Sequence, residues 1–303
     1  MSKRRKKKKN NFIKITLFIL ALIYSYYTSQ IDSTYSLSNV LDTFNESSEV
    51  LTVSYLDVGQ ADSILIKLNN EAMLIDAGNN EDGENLVKYF KEKEITSFKY
   101  LVATHPHEDH IGGIDDIINN FEIDTIFMPD VITTTKTFTD VLDAMENKYL
   151  TYTVPKIKDT FNLGDATIEV IYTGTNKQEL NNTSIVLRMV YKDISFLFTG
   201  DAEEKVEKII LNSNINISSD VLKVGHHGSS SSTSNNFLNK VNPKYAIISV
   251  GTGNSYNHPE DITLNRLNNK NIKVYRTDLN GSIIITTNGN NTNVNTINTN
   301  TNG

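Results

Sequence analysis

From Leu51 onward the chain breaks into short apolar or alternating runs separated by polar punctuation, the signature of strands and helices in regular succession. Leu51–Val58, Ser63–Leu68 and Ala72–Ile75, interrupted by Gly59-Gln60 and Asn69-Asn70, read as consecutive strands joined by tight turns. Glu84–Glu94 has helical spacing, Lys99–Ala103 is a further strand, Ile111–Asn119 a short helix and Phe138–Tyr149 a longer one. The alternation then repeats. Ala166–Tyr172, Ser184–Tyr191 and Ile194–Phe198 are strand-like, and Ala202–Leu211 is helical. Val221–Val224, Tyr245–Val250 and Ser282–Thr286 follow as strands, with helices at Ser234–Val241 and Ile262–Asn269 between them. Each half opens with antiparallel-looking strands and closes on strand–helix alternation. The pattern therefore implies an α/β fold of two related halves, packed as a sandwich with helices outside.

The two ends differ from this body. The first ten residues, MSKRRKKKKN, carry seven basic groups, and the apolar run Phe12–Tyr27 follows at once. A helix over those 16 residues would cover roughly 24 Å, somewhat short of a ~30 Å hydrocarbon core. Lys14 can snorkel at one boundary, and Tyr24, Tyr26 and Tyr27 suit the other. Residues 1–29 are therefore expected to be a membrane anchor or a cleaved signal segment, with a nucleic-acid-binding basic arm as the remaining alternative. Either of the first two leaves the basic tip inside and carries the body across, which puts the protein in the cell membrane by one span or makes it secreted. Residues 30–50 are rich in Ser, Thr, Asn and Asp and read as a linker. Residues 51–287 form the working domain, and 288–303, almost wholly Asn, Thr and Gly, are expected to be a disordered tail.

Charge sharpens this division. The net charge of −7 hides eight basic residues that precede the first acidic one, Asp32; beyond them 21 basic face 36 acidic residues, a net of −15. Hydrophobic residues at 38% support a sizeable core, which excludes wholesale disorder. The absence of cysteine excludes disulfides, thiolate zinc ligands and a cysteine nucleophile.

Chemistry concentrates on six histidines: His105, His107, His110, His226, His227 and His258. All follow expected strands or sit in Gly-, Ser- or Asn-rich loops rather than on apolar helix faces. In His105-Pro106-His107-Glu108-Asp109-His110, Pro106 keeps the exit from the strand non-helical. Residues two apart in extended chain point the same way, so His105 and His107 can grip one metal. Asp109 and His110, where the chain turns into the next helix, can face a second, and Gly112-Gly113 permits close backbone approach beneath. Asp201 ends the apolar strand of FLFTGD, where a bridging ligand could sit, although capping the following helix is its ordinary role. His226 and His227 end another strand, and Asp76, in LIDAG, reads as a buried acceptor that orients the histidine loop. Imidazole and carboxylate donors suit zinc first, then manganese or iron.

The segments LIDAG, THPHEDHIGG, FTGD and VGHHGS, in this order, resemble the metallo-β-lactamase superfamily. More narrowly, LDVGQADS, NNTSIVLR, KVGHHGSS and NSYNHPE resemble the extracellular hydrolase domain of the DNA-uptake protein ComEC. The resemblance, over roughly Leu51–Thr286, implies an αββα sandwich with two divalent metals at one edge. His105 and His107 would hold the first metal and Asp109 and His110 the second. Asp201 would bridge, and His226 or His227, with His227 favoured, would complete the second site. A further histidine that the superfamily often supplies near Asn181–Ser184 is absent, Ala61 replaces a usual glycine, and the channel helices of ComEC are missing. The implied activity is extracytoplasmic hydrolysis of a phosphodiester, DNA or an envelope phosphate ester, by a metal-activated water, with no obligate protein partner evident. Asp109 would hold the nucleophile, His258 would protonate the leaving oxygen or grip phosphate, and Asn182, Ser229 and Ser230 would donate to substrate oxygens. Lys223 reads as structural. The rival readings are a lactam or other ester hydrolase and a non-catalytic metal-binding surface module.

Overall fold

Alternation of apolar side chains along each strand decides the architecture, because it commits opposite faces of one sheet to different neighbours. The computed structural model describes residues 49–297. The expected basic tip, apolar run and most of the linker lie outside the described residues; among these, no helix is long and apolar enough to cross a membrane. The first half contains β1 (Leu51–Tyr55), β2 (Ser63–Leu68), β3 (Glu71–Ala77), α1 (Gly83–Glu92) and β4 (Ser97–Val102). It continues with α2 (Glu108–Ile111), α3 (Ile114–Asn120), β5 (Glu122–Phe127), α4 (Lys136–Asn147) and β6 (Tyr152–Thr153). The second half contains β7 (Thr160–Leu163), β8 (Ala166–Tyr172), β9 (Val186–Tyr191), β10 (Ile194–Phe198) and α5 (Glu204–Asn212). Then come β11 (Val221–Lys223), α6 (Asn235–Val241), β12 (Tyr245–Ile248), α7 (Asp261–Asn268) and β13 (Lys273–Arg276). A short α8 (Thr277–Asn280), β14 (Ser282–Thr287) and β15 (Thr292–Ile297) close the chain.

These strands make an eight-stranded sheet, β15-β14-β1-β2-β3-β4-β5-β6, and a seven-stranded sheet, β13-β12-β11-β10-β9-β8-β7. In β2 and β3, Ile64, Ile66, Met73 and Ile75 face the second sheet, meeting Leu187, Met189, Phe196 and Phe198. Their alternates Leu65 and Leu74 face outward onto Phe90 of α1, Ile117 of α3 and Phe138 of α4. The second sheet does the same, placing Leu197, Leu222 and Ala246 against Val206, Phe237 and Leu267 of its own helices. Three apolar interiors thus separate four layers, helix–sheet–sheet–helix. Full burial of each such Leu, Ile or Phe contributes about 1.5–3 kcal/mol.

The pattern left out β5, β6, β7 and β13. Glu122–Phe127 sits near one sheet edge with only Ile123 and Ile126 buried, so it shows no continuous apolar run. The helix expected over Ile111–Asn119 is two, broken at Gly112-Gly113, where a Cβ on Gly112 would collide with the backbone of Asn79 and Asn80. The tail expected to be disordered from Asn288 instead turns and forms β15, antiparallel to β14 from Thr287↔Thr292 to Ser282↔Ile297. Asn288 Oδ1 accepts from the Asn290 and Asn291 amides at 3.1 and 3.0 Å, fixing that turn. An edge strand is held by its backbone ladder, so polar side chains do not forbid it.

Candidate metal centre

Both sheets aim the carboxyl ends of parallel strands at one edge, where ligand sites of open α/β sheets gather. β3 ends at Asp76, β4 runs into Thr104–His110, β10 into Asp201, and β11 into His226-His227. The last two histidines each have positive φ, 48° and 51°. Two successive non-glycine residues in the left-handed region are costly and mark a conformation that the surroundings enforce. The twist sends neighbouring rings to different places. His227 is buried within the centre, whereas His226 is partly exposed beside Asn181, at 3.3 Å between Nδ2 and Nε2, and Ser231, at 3.2 Å.

One ligand atom each from Asp109, His110, Asp201 and His227 lies within 4.8 Å of the other three. His110 Nε2 is 3.3 Å from Asp201 Oδ1, and His227 Nε2 is 3.2 Å from Asp109 Oδ2 and 3.7 Å from Asp201 Oδ2. His105 Nε2 meets His107 Nδ1 at 3.0 Å and faces Asp201 Oδ2 at 3.8 Å. Asp201 therefore turns one oxygen toward His110 and the other toward His105, His226 and His227, the arrangement of a carboxylate shared between two groups of donors.

The far ring nitrogens are tied down. His110 Nδ1 donates to Asp76 Oδ2 at 2.8 Å and His227 Nδ1 to the Ser249 carbonyl at 2.9 Å, so each Nε2 lone pair faces the centre. Asp76 also accepts from the Thr104 amide at 2.8 Å and the Thr104 hydroxyl at 2.7 Å, which pins the start of the histidine loop. His110 Nε2, His227 Nε2 and Asp201 Oδ1 are nevertheless buried without a hydrogen-bond partner. Leaving each so would cost about 1–3 kcal/mol. A divalent cation satisfies all three at once, and imidazole with carboxylate is a donor set that zinc, manganese and iron accept.

The charges agree. Burial alone would raise the Asp201 and Asp109 carboxyls, but His110 and His227 overcome it and hold both below the ordinary range. Burial alone would lower His110 and His227; Asp201, aided by Asp76 and Asp109 around His110, pushes both up instead. The His105 and His107 rings are pushed down, first by burial. The centre thus stabilises positive charge beside its carboxylates and keeps its outer imidazoles neutral for ligation.

Three residues inside the quoted motifs are given no part in the centre by the sequence. Asp62, at the head of β2, is buried and forms an ion pair at 2.8 Å with Lys223 Nζ, itself fully buried at the end of β11. Asp62 also approaches His227 Nδ1 at 3.6 Å and His110 Nδ1 at 3.9 Å, so this pair crosses between the sheets directly behind the donors. Ser184 stands in the segment that lacks the extra histidine; its hydroxyl accepts from the Asp201 amide at 3.1 Å and lies 3.4 Å from His105 Nδ1. Their signal is their place in LDVGQADS, NNTSIVLR and KVGHHGSS, which the sequence alone does not bring together.

A cavity of about 400 Å³ opens above the centre, lined among others by Gln60, Asn181, Tyr256 and His258 as well as the donors. His258, expected at the site, is in its wall. Asn182, Ser229 and Ser230 are not among its lining residues. Asn182 is buried, donating to Glu203 Oε2 at 2.7 Å and accepting from the Glu203 amide at 3.2 Å; its neighbour Asn181 lines the cavity instead. Ser229 Oγ pairs with Ser231 Oγ at 3.1 Å, and the Ser230 amide donates to Glu260 at 2.8 Å. The structure thus does not bring these three expected substrate donors to the cavity.

Residues 56–252 match the model of the metallo-beta-lactamase superfamily, and the chain belongs to that superfamily. It is a metal-dependent hydrolase of that class, with ComEC-like relatives. It is 32% identical over 250 residues to ComE operon protein 3 of Bacillus subtilis (strain 168), covering 76% of this chain and 32% of that protein. It is 29% identical over 234 residues to competence protein ComA of Neisseria gonorrhoeae, covering 76% of this chain and 31% of that protein. The chain thus spans about a third of the length of these relatives. Among solved structures, the metallo-beta-lactamase fold protein YhfI from Bacillus subtilis aligns at a TM-score of 0.54 and 12% identity, over 79% of this chain and 100% of that one. CmlA, a diiron beta-hydroxylase from Streptomyces venezuelae, aligns at 0.52 and 13%, over 78% and 54%. These two likenesses establish the fold alone.

Proposed function

We propose that the chain is a phosphodiesterase working outside the cytoplasm, on DNA or an envelope phosphate ester. The observation that carries this reading is the set of unpartnered buried atoms of His110, Asp201 and His227, of which Asp201 and His227 line an open polar cavity and His110 Nε2 lies 3.3 Å behind Asp201. The 32% identity to ComE operon protein 3 and the 29% identity to competence protein ComA favour a phosphodiester over a lactam. Divalent ions held by Asp109, His110, Asp201 and His227, and by His105 with His107, supply electrophilic activation and a nucleophile from water.

The chain's residues do the rest. Asp109 is the partly exposed carboxylate of the group and accepts a hydrogen bond from the attacking water. His227 and His110 are held in one orientation by Ser249 and Asp76, so no reorganisation accompanies the developing charge. His258 lines the same cavity beside His226, where it donates a proton to the leaving oxygen.

The test assays the full chain with manganese or zinc on bis(p-nitrophenyl) phosphate, single-stranded DNA and nitrocefin. Turnover of the first two, lost in Asp109→Ala, is the expected result. Turnover of nitrocefin alone would make it a lactamase, and metal uptake without any hydrolysis a binding module. Location rests on the basic tip and apolar run of residues 1–29. Protease added to intact cells should therefore digest the domain, and full protection would overturn that part.

A further inference from the structure

The cavity lacks what a polyanion site ordinarily has. Among the described residues lining it are Glu108, Asp109 and Asp201 but no lysine or arginine, and Tyr256 is the one large aromatic besides the histidines. Affinity for nucleic acid usually comes from Lys and Arg on phosphates, and here that source is missing at the reaction site. A substrate phosphate can meet the cations on the floor; the rest of the substrate has one apolar surface to touch.

That surface is exposed and held still. Tyr256 is 66% exposed, although it lies on a cavity wall. Its ring stacks on His258, with centroids 5.7 Å apart and planes at 25°, and His258 packs edge-on against His226 at 5.4 Å. Asn254 braces the loop: its Oδ1 accepts from the Tyr256 and His258 amides at 3.1 and 3.0 Å, and its Nδ2 donates to the Gly251 and His258 carbonyls at 3.0 and 2.6 Å. The Gly251 amide donates to Gln60 Oε1 at 3.1 Å, tying the loop to the opposite sheet. A ring fixed in this way loses little entropy when a flat partner covers its free face, which is how aromatic platforms hold single strands.

We infer that Tyr256 is a stacking platform for the base beside the scissile phosphate. The substrate class is then a short run of unpaired nucleotides, not a polyol-based envelope ester, and this deepens the phosphodiesterase reading on which it rests. An internal paired base is covered on both faces and offers no free one to the ring, so the platform selects against the interior of a duplex.

The experiment is calorimetric titration of the manganese-loaded full chain with a phosphorothioate-linked thymidine tetramer and with the same backbone carrying abasic sugars. The abasic ligand should bind about 5- to 150-fold more weakly, the factor that one base–aromatic stack is worth. Tyr256→Ala should bring the thymidine tetramer down to the abasic value, while Tyr256→Phe keeps the difference. A log–log salt slope shallower than about 1 is also expected, because no lysine or arginine among the described residues of the cavity neutralises a phosphate and releases its counterions. Equal affinity for the two backbones, no effect of Tyr256→Ala, or a poly(glycerol phosphate) oligomer binding as tightly as thymidine would each overturn the platform. Hydrolysis of bis(p-nitrophenyl) phosphate without base dependence would sink the platform and leave the phosphodiesterase; base-dependent binding with no phosphodiester cut would do the reverse.

Discussion

Two clusters of carboxylates and imidazole share His110, and only one is built to receive an ion. Asp109, His110, Asp201 and His227 bring together buried atoms that no group in the protein satisfies. Asp62, Asp76 and His110 also place ligand atoms within 4.8 Å of one another. There, however, a cation is already present as Lys223 on Asp62 Oδ2, Thr104 and the His110 ring saturate Asp76, and of these carboxylate oxygens Asp62 Oδ1 alone is left without a hydrogen-bond partner. Proximity of acids and histidines does not define a metal site; unfilled valence does. The second cluster is the support of the first.

Removing the built-in cation should hurt most. Lys223→Met leaves Asp62 charged and unpaired in the interior and should cost about 3–5 kcal/mol in urea unfolding, whereas the double variant with Asp62→Leu should recover most of it. Equal destabilisation in single and double variants would mean that packing rather than charge holds the sheets together here. Asp201→Ala should lower turnover about 10²–10³-fold, near the scale of losing one transition-state charge partner, and should abolish the rise in Tm on adding manganese. A retained Tm rise would show that the cation sits elsewhere.

Smaller changes probe how support is transmitted. Asp76→Ala leaves every donor in place but frees the His110 ring, so metal affinity should fall about 10–100-fold by competition with a chromophoric chelator. No change would separate the two clusters functionally. The mildest effect belongs to a half-exposed counterpart of the buried ion pair. Asp220 accepts from the Ser195 amide and hydroxyl at 3.0 and 2.9 Å and from Lys244 at 3.0 Å. Burial would raise its carboxyl, but Lys244 and Ser195 hold it below the ordinary value. Its stabilisation is therefore present above the unfolded pKa and is lost as pH falls through the folded one. Asp220→Asn should cost about 1 kcal/mol at neutral pH, given solvent screening of Lys244, and should flatten that acid limb of the stability curve.

Much of this was legible before any coordinates, because the informative groups are local. Pro106 between two histidines and Asp201 after a glycine announce strand-end donors within a few residues. What stayed hidden depends on distant partners. Asp62 and Lys223 acquire meaning only when β2 and β11 face each other, and Ser184 only when the turn before β9 brings it beside His105. Asn182, Ser229 and Ser230 lie away from the cavity lining, which stayed hidden for a related reason: a short polar side chain in a loop looks the same whether it serves substrate or its own backbone. The choice between His226 and His227 turns on two left-handed backbone angles, which no side-chain pattern encodes.

β1 lies between β2 and β14, with Leu51 opposite Thr287. The backbone enters the first sheet on β1 and returns to it on β14 and β15, with Ile297 opposite Ser282. The first sheet is therefore completed only by the last described strands, and cutting them away would bare the edge of β1 as a row of unpaired backbone groups.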